Sequence, residues 1–405
     1  MLALVPGQRG REQVRMLDNW LLYSFIVAAI AIGWWLGRRD RNKAPEATGP
    51  DYYQGLNYLL NEESDRAVST FVDNLEVNAD TLETHLALGG LLRRRGELDK
   101  AVVVHENILR QAKLAKGDMQ NVQLELARDY MLAGLLDRAE ALCVKLSQEP
   151  DTGDTASVRR ESLKITLQIY EQEKEWRQAI EVAKLLVMAD ESYEKAISHY
   201  YCELAEEQLN AADLEAARES LREAIGHDVN NPRTSLVRGR IDVSEGYYDN
   251  AIAALTRIRD QDPVFVPESL ETLEEVYRHR SQEEFQEYLE SCLDVTPSIS
   301  IVLTLAKSIR EESGDEAVAK FIAEHLKKNP TIRGLTQLID LHIDNTRGIA
   351  RENLAILRSF AEALVADKPA YRCQSCGFDG KRMRWQCPVC RDWASIKPIF
   401  GLEGE

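Results

Sequence analysis

The chain has 405 residues, of which 29% are charged, and a formal net charge of −17. That length allows two or three domains around a sizeable buried core, and the acidic balance argues against a nucleic-acid binder, which needs a basic surface to displace phosphate counterions. With 12 prolines, 22 glycines and no long low-complexity tract, little of it reads as disordered, and its wealth of Ala, Leu, Glu and Arg favours helix.

At the head, Trp20 to Leu36 run for seventeen residues without a charge, at the short end of what spans a bilayer. Trp20, Tyr23, Trp34 and Trp35 stand near the ends of the run, where amphipathic rings prefer the headgroup layer. The basic segment "GRRDRNK" follows the run and no small-residue cleavage site does, so a retained anchor fits better than a cleaved signal peptide. Arg38, Arg39, Arg41 and Lys43 follow, and Arg9, Arg11 and Arg15 precede, an ambiguous balance for the positive-inside rule. Starting instead at Met16 removes the three upstream arginines. Residues 1–15 are therefore expected to be an N-terminal extension, 16–37 a transmembrane helix, 38–50 a basic juxtamembrane linker, and the remainder cytoplasmic.

The middle is repetitive. "QGLNYLLNEESDRAVSTF" aligns with "LGGLLRRRGELDKAVVVH", placing Gly55 on Gly89 and Ala67 on Ala101, both 34 residues apart, which is the tetratricopeptide period. Ala139, Ala179, Ala217 and Ala251 close similar segments, and a later copy centres on Ala317. Each unit is expected to be two antiparallel helices, with the small alanine allowing close approach and an acidic residue in the first turn of the second helix. Pro232, Pro263 and Pro330 punctuate unit ends, since proline cannot continue a helix. Each hairpin leaves an apolar face that its neighbour covers. The expected architecture is an all-α superhelical solenoid over 51–330, of about eight repeats, with a divergent repeat near 264–296 and a helical cap over 331–365. Such an array binds proteins and carries no chemistry of its own. The seven histidines, His85, His105, His199, His227, His279, His325 and His342, read as packing or solvated residues, with no nucleophile–base pair beside them.

Seven cysteines are present. Cys143, Cys202 and Cys292 stand alone and read as small apolar core residues. Cys373-x-x-Cys376 and Cys387-x-x-Cys390 are two identical knuckles with ten residues between them, the pattern of a closed tetrathiolate site for one structural Zn or Fe ion. Gly377 is expected to leave the first knuckle at positive φ, and Pro388 to stiffen the second. Residues 371–400 hold six Lys/Arg against two Asp. This small module is expected to dock on the acidic array rather than swing on 366–370, with Arg382, Arg384 and Arg391 as contacts and Trp385 and Trp393 as buried anchors.

The segments "GWWLGRRD", "LARDYMLAGLLDRAE", "AISHYYCELA" and above all "YRCQSCGF…CPVCRDWASIKPIFGL" resemble the lipopolysaccharide assembly protein B family of Gram-negative bacteria. The resemblance covers nearly the whole chain from Met16; residues 1–15 depart from it. It implies a non-enzymatic, inner-membrane, cytoplasm-facing adaptor that couples an AAA+ protease of the FtsH type to the deacetylase LpxC, which commits precursors to lipid A. It further implies an antagonistic inner-membrane sensor as partner, and Cys373, Cys376, Cys387 and Cys390 as rubredoxin-type ligands. A homodimer is compatible with it. Two other readings stand beside the adaptor: a hub gathering lipopolysaccharide synthesis and export factors, and a rubredoxin-type redox protein.

Overall fold

A computed structural model describes residues 27–35, 63–74, 81–111, 114–149 and 156–405, with isolated positions at 55, 57–58, 61 and 77–78. The expected extension 1–15, the linker 38–50 and most of the anchor lie outside the described residues. Within the anchor, 27–35 is helical and exposed. Among the described residues no helix is long and apolar enough to cross a membrane.

The chain divides into two compact units, 1–134 and 135–405. In the first, helix Leu82–Arg94 pairs with Leu98–Gln111 and Lys116–Leu132 follows, with Phe71, Leu92, Ala101, Val104, Ile108 and Val122 in one core. The second contains successive helices from Leu136–Gln148 to Ile349–Val365, then the cysteine module. The alanines picked out by the repeat, Ala67, Ala101, Ala139, Ala179, Ala217 and Ala251, are all fully buried. Close approach also depends on glycines of the first helix. A Cβ on Gly89 would lie 2.4 Å from the His105 ring, and one on Gly239 would lie 2.5 Å from Leu255, so His105 and Leu255 fill the space these glycines leave.

Each turn has a common mechanism. Five residues before the buried alanine stands a left-handed residue: Gly96, Gly134, Lys174, Ala212 or Gly246, with φ between 58° and 80°. After Gly96, Lys174, Ala212 and Gly246 the next amide reaches back to the first helix, as Glu97 N to Leu92 O at 3.0 Å and Tyr247 N to Asp242 O at 2.8 Å, capping carbonyls that would otherwise lack a partner. Pro232 occupies the first turn of its helix and Pro263 opens a 3-10 segment, where a missing amide hydrogen costs nothing. The blurred region resolves into Leu270–Tyr277 and Gln282–Leu293, the divergent hairpin.

One expectation is corrected. Ala317 is only half-buried, and Val318 and Ile322 take the core positions instead. Gly314 turns there with ψ 177° rather than the left-handed ψ near 47°, which alters the register of the helix that follows. The cap, Ile332–Asp344 and Ile349–Val365, lacks the polar outer face usual for a terminal repeat: Ile349, Ile356, Leu357, Phe360 and Leu364 are exposed.

Lys174 and Ala212 hold a conformation that costs an L-residue roughly 1–2 kcal/mol, whereas glycine adopts it freely. Lys174→Gly and Ala212→Gly should therefore each stabilise the second unit by about 0.5–1 kcal/mol, and Gly246→Ala should destabilise it by about 1 kcal/mol or more. Thermal melts followed by circular dichroism check the signs.

Candidate metal centre and its docking surface

The module is a three-stranded antiparallel sheet of order β2-β1-β3, with β1 Tyr371–Cys373, β2 Asp379–Gly380 and β3 Ile396–Pro398. Its interior is small. Cys373, Cys387 and Ile396 are the buried members, with Tyr371, Phe378 and Met383 packed against them.

The two knuckles repeat one geometry. Gly377 N donates to Cys373 O at 3.0 Å, and Arg391 N donates to Cys387 O at 2.9 Å. Gly377 has φ 78°, as expected, and Arg391, four residues after Cys387 as Gly377 is after Cys373, has φ 60°. The arginine thus occupies a backbone position that glycine would hold without strain. All four Sγ atoms lie within 4.8 Å of one another, with Cys373–Cys390 at 3.7 Å and Cys376–Cys387 at 3.6 Å. A disulfide brings its sulfurs to about 2.05 Å, whereas thiolates around a tetrahedral Zn with bonds of about 2.3 Å stand about 3.8 Å apart. The donor set therefore fits one thiolate-bound metal ion and excludes bridging; all seven cysteines are free. Burial opposes ionisation of Cys373, but its hydrogen bonds with Ser395 and with the amides of Cys376 and Ser375 bring it down to about 6. Burial and the neighbouring sulfurs push Cys390 up to about 12. Cys143, Cys202 and Cys292 are buried far from this cluster in sequence, Cys292 within an apolar core, and burial raises Cys202 to about 12.

The module is docked. Trp393 stacks on His199 at 5.1 Å and meets Trp176 and Tyr200 edge-on, while its indole N–H donates to Glu171 Oε1 at 3.1 Å. The same carboxylate oxygen accepts from Tyr200 Oη at 2.7 Å. Trp385 lies against Phe265 at 5.0 Å, with the buried Arg233 guanidinium 5.6 Å from its ring centre. Arg233 is held by Glu203 and Glu206 at 2.8 and 3.1 Å. His199 therefore sits between both indoles, and burial, with Arg233 and Lys397 nearby, holds its pKa well below the ordinary imidazole range.

Arg391 meets the expectation, donating to Gln168 O at 3.0 Å. Arg382 and Arg384 do not: both are exposed, and among the described residues neither pairs with the array. They belong to the segment that leads into Trp385 on the solvent side, where a guanidinium gains more from water than from a distant carboxylate. Three contacts escaped sequence reasoning. Lys397 pairs with Asp262 at 2.5 Å, the Tyr371 hydroxyl donates to Glu268 at 2.7 Å, and Glu405 is clasped by Ser298 Oγ, Ser300 N, Ser300 Oγ and Arg333 Nη1 at 2.5–3.0 Å. The local positive charge pointed to Lys397; no sequence signal pointed to Glu405.

These features define the class: a helical-repeat protein carrying a rubredoxin-type metal ribbon docked on its own repeats. The rubredoxin metal binding domain family matches residues 371–398. Lipopolysaccharide assembly protein B of Escherichia coli (strain K12) is 38% identical over 391 residues, covering 95% of this chain and 99% of that protein. The Haemophilus influenzae protein of the same name is 29% identical over 398 residues, with the same coverage. The chain belongs to the lipopolysaccharide assembly protein B family. Among solved structures, YrrB, described as a TPR protein with an unusual peptide-binding site, superposes with a TM-score of 0.31 at 13% identity, over 48% of this chain and 91% of that one.

Ligation and docking are separable. Cys373→Ser with Cys376→Ser should release the metal and melt the ribbon while the helical signal persists, because hydroxyls are poor Zn ligands. Trp393→Ala should keep the metal but weaken docking by about 3 kcal/mol, read as faster tryptic cleavage near Lys368 with metal content unchanged. Protons compete with the metal for thiolate, so metal retention should fall on acidification from about pH 7.5 to about pH 5, as followed by metal analysis after dialysis.

Proposed function

We propose that this protein is a non-enzymatic adaptor in lipopolysaccharide assembly, anchored to the inner membrane by residues 16–37 and facing the cytoplasm. Its array holds the deacetylase LpxC for an FtsH-type protease, and an inner-membrane sensor antagonises that delivery. The observation that carries the reading is the docked ribbon. Through Trp385, Trp393 and Lys397 one small metal module contacts the helices Ala156–Glu173 and Tyr193–Asn210 as well as the Pro263–Ser269 segment, and the Glu405 clasp adds Ile299–Lys328. That bracing fixes the spacing of successive hairpins, and a client-holding surface needs such fixed spacing to avoid an ordering cost on binding. Family membership supports the pathway. Tethering beside a membrane protease raises the effective concentration of a client, into the millimolar range for a short tether.

The deciding measurement is deacetylase half-life in cells with and without the protein. The adaptor predicts a several-fold longer half-life without it, restored by the full chain and not by the Cys373→Ser, Cys376→Ser form. An unchanged half-life with disturbed lipopolysaccharide export would instead indicate the hub.

A further inference from the structure

The two indoles of the ribbon meet on His199 of helix Tyr193–Asn210. At about 100° per residue, Tyr201, Leu204 and Gln208 lie on the opposite side of that helix from His199. There they floor a groove of about 390 Å³ between helices Trp176–Val187 and Leu214–His227. Ile180 and Leu204 make the floor apolar, and Glu181, Glu219 and Glu223 rim it against the cation Arg177. A second hollow, of about 640 Å³, follows along the same three helices, with Asp190, Glu191, Glu194 and Asp228 against Lys195. Its His227 is paired with Glu194, and its Met188 is 93% exposed, an apolar edge facing solvent.

We propose that this acid-rimmed groove binds a short cationic helix with an apolar stripe, presented by a partner protein. The rim asks for positive charge. Glu219 and Glu223 are exposed one turn apart on the same helix face, and like charges at that spacing destabilise a helix. Among the described residues neither has an ion-pair partner, and their neighbour Arg218 is taken by Asp242 and Glu245. A Lys or Arg from outside would supply the missing counter-charge. The floor sets the other requirement: Ile180, Leu204 and the Tyr201 ring offer apolar contact to side chains that recur once per turn, the mode in which a helix lies in a groove. At 1.5 Å per residue Trp176–Val187 is about 18 Å long, so the groove beside it accommodates about three turns of a partner helix. A nucleic acid or an anionic headgroup would meet repulsion from the same carboxylates, which leaves a protein segment as the occupant. The site rests on the adaptor reading in assigning a protein partner to the array. Its test measures binding, not deacetylase half-life, so the two can fail separately.

The test uses the full chain in detergent solution, at about 0.15 M salt to screen long-range attraction. The probe is a fluorescein-labelled synthetic helix of about 14 residues, with leucine at every third or fourth position and lysine or arginine elsewhere. Fluorescence anisotropy should show saturable binding. Glu219→Lys with Glu223→Lys should weaken it at least about tenfold, and Glu219→Gln with Glu223→Gln at least about threefold, with helical signal and metal content unchanged. Glu283→Lys with Glu287→Lys, exposed on Gln282–Leu293 and equal in charge change, should leave the affinity within about twofold. A probe with alanine in place of leucine should bind at least about tenfold more weakly. Absence of binding by the leucine probe overturns the proposal. So does an equal loss in the two lysine pairs, which would mean attraction by net charge alone, or equal binding of the alanine probe.

Discussion

Four sulfurs gathered within 4.8 Å of one another, a donor set that fits one metal ion, are the constraint on which the ribbon and its docking rest. The module's own core is Cys373, Cys387 and Ile396 with three partly buried neighbours, too little apolar area to offset the entropy of ordering some thirty residues. A metal ion bound by the four thiolates would supply that difference, which would make the fold of the ribbon and the occupancy of its site one equilibrium. Everything presented from the second knuckle depends on it. Arg391 turns the chain at φ 60°, and Trp393 follows two residues later in position to reach Glu171 and His199.

The docking surface combines two kinds of interaction that reinforce one another. The indoles bury apolar area and at the same time cover polar groups that would be costly if left alone. Arg233 is 2% exposed and has its two glutamates, and Trp385 lies near its cationic face. Glu171 has the Trp393 and Tyr200 donors. Removing the ribbon would take the Trp393 donor from Glu171 and the indole cover from Arg233, which would keep its two glutamates. The ribbon thus completes the polar network of the repeats as much as it adds to their apolar core.

The repeat array shows how little sequence identity a hairpin stack needs. Gly96, Lys174 and Ala212 perform the same left-handed turn, and the amide that follows closes it in each case. The turn is specified by helix lengths and by the buried alanine five residues on, and glycine only lowers its cost. Where that relation fails, at Gly314, the small-residue register fails with it, which is why Ala317 is half-buried.

By itself the sequence determined the hairpin period, the buried alanines, the four ligands and the fact of docking by Trp385, Trp393 and Arg391. Each of these follows from local spacing or from a composition contrast that survives any arrangement of the elements. The tertiary structure alone decided which partners meet. Glu171 and Arg233 are ordinary helical charges until folding brings them beneath indoles more than 150 residues away. Ser298, Ser300 and Arg333 converge on Glu405 only once two helices and the tail are in place. The apolar side of Ile349–Val365 has the periodicity of any amphipathic helix, and only the packed fold reveals that the buried side is the narrow one. Periodicity says that a face must be covered; which atoms cover it is a long-range property.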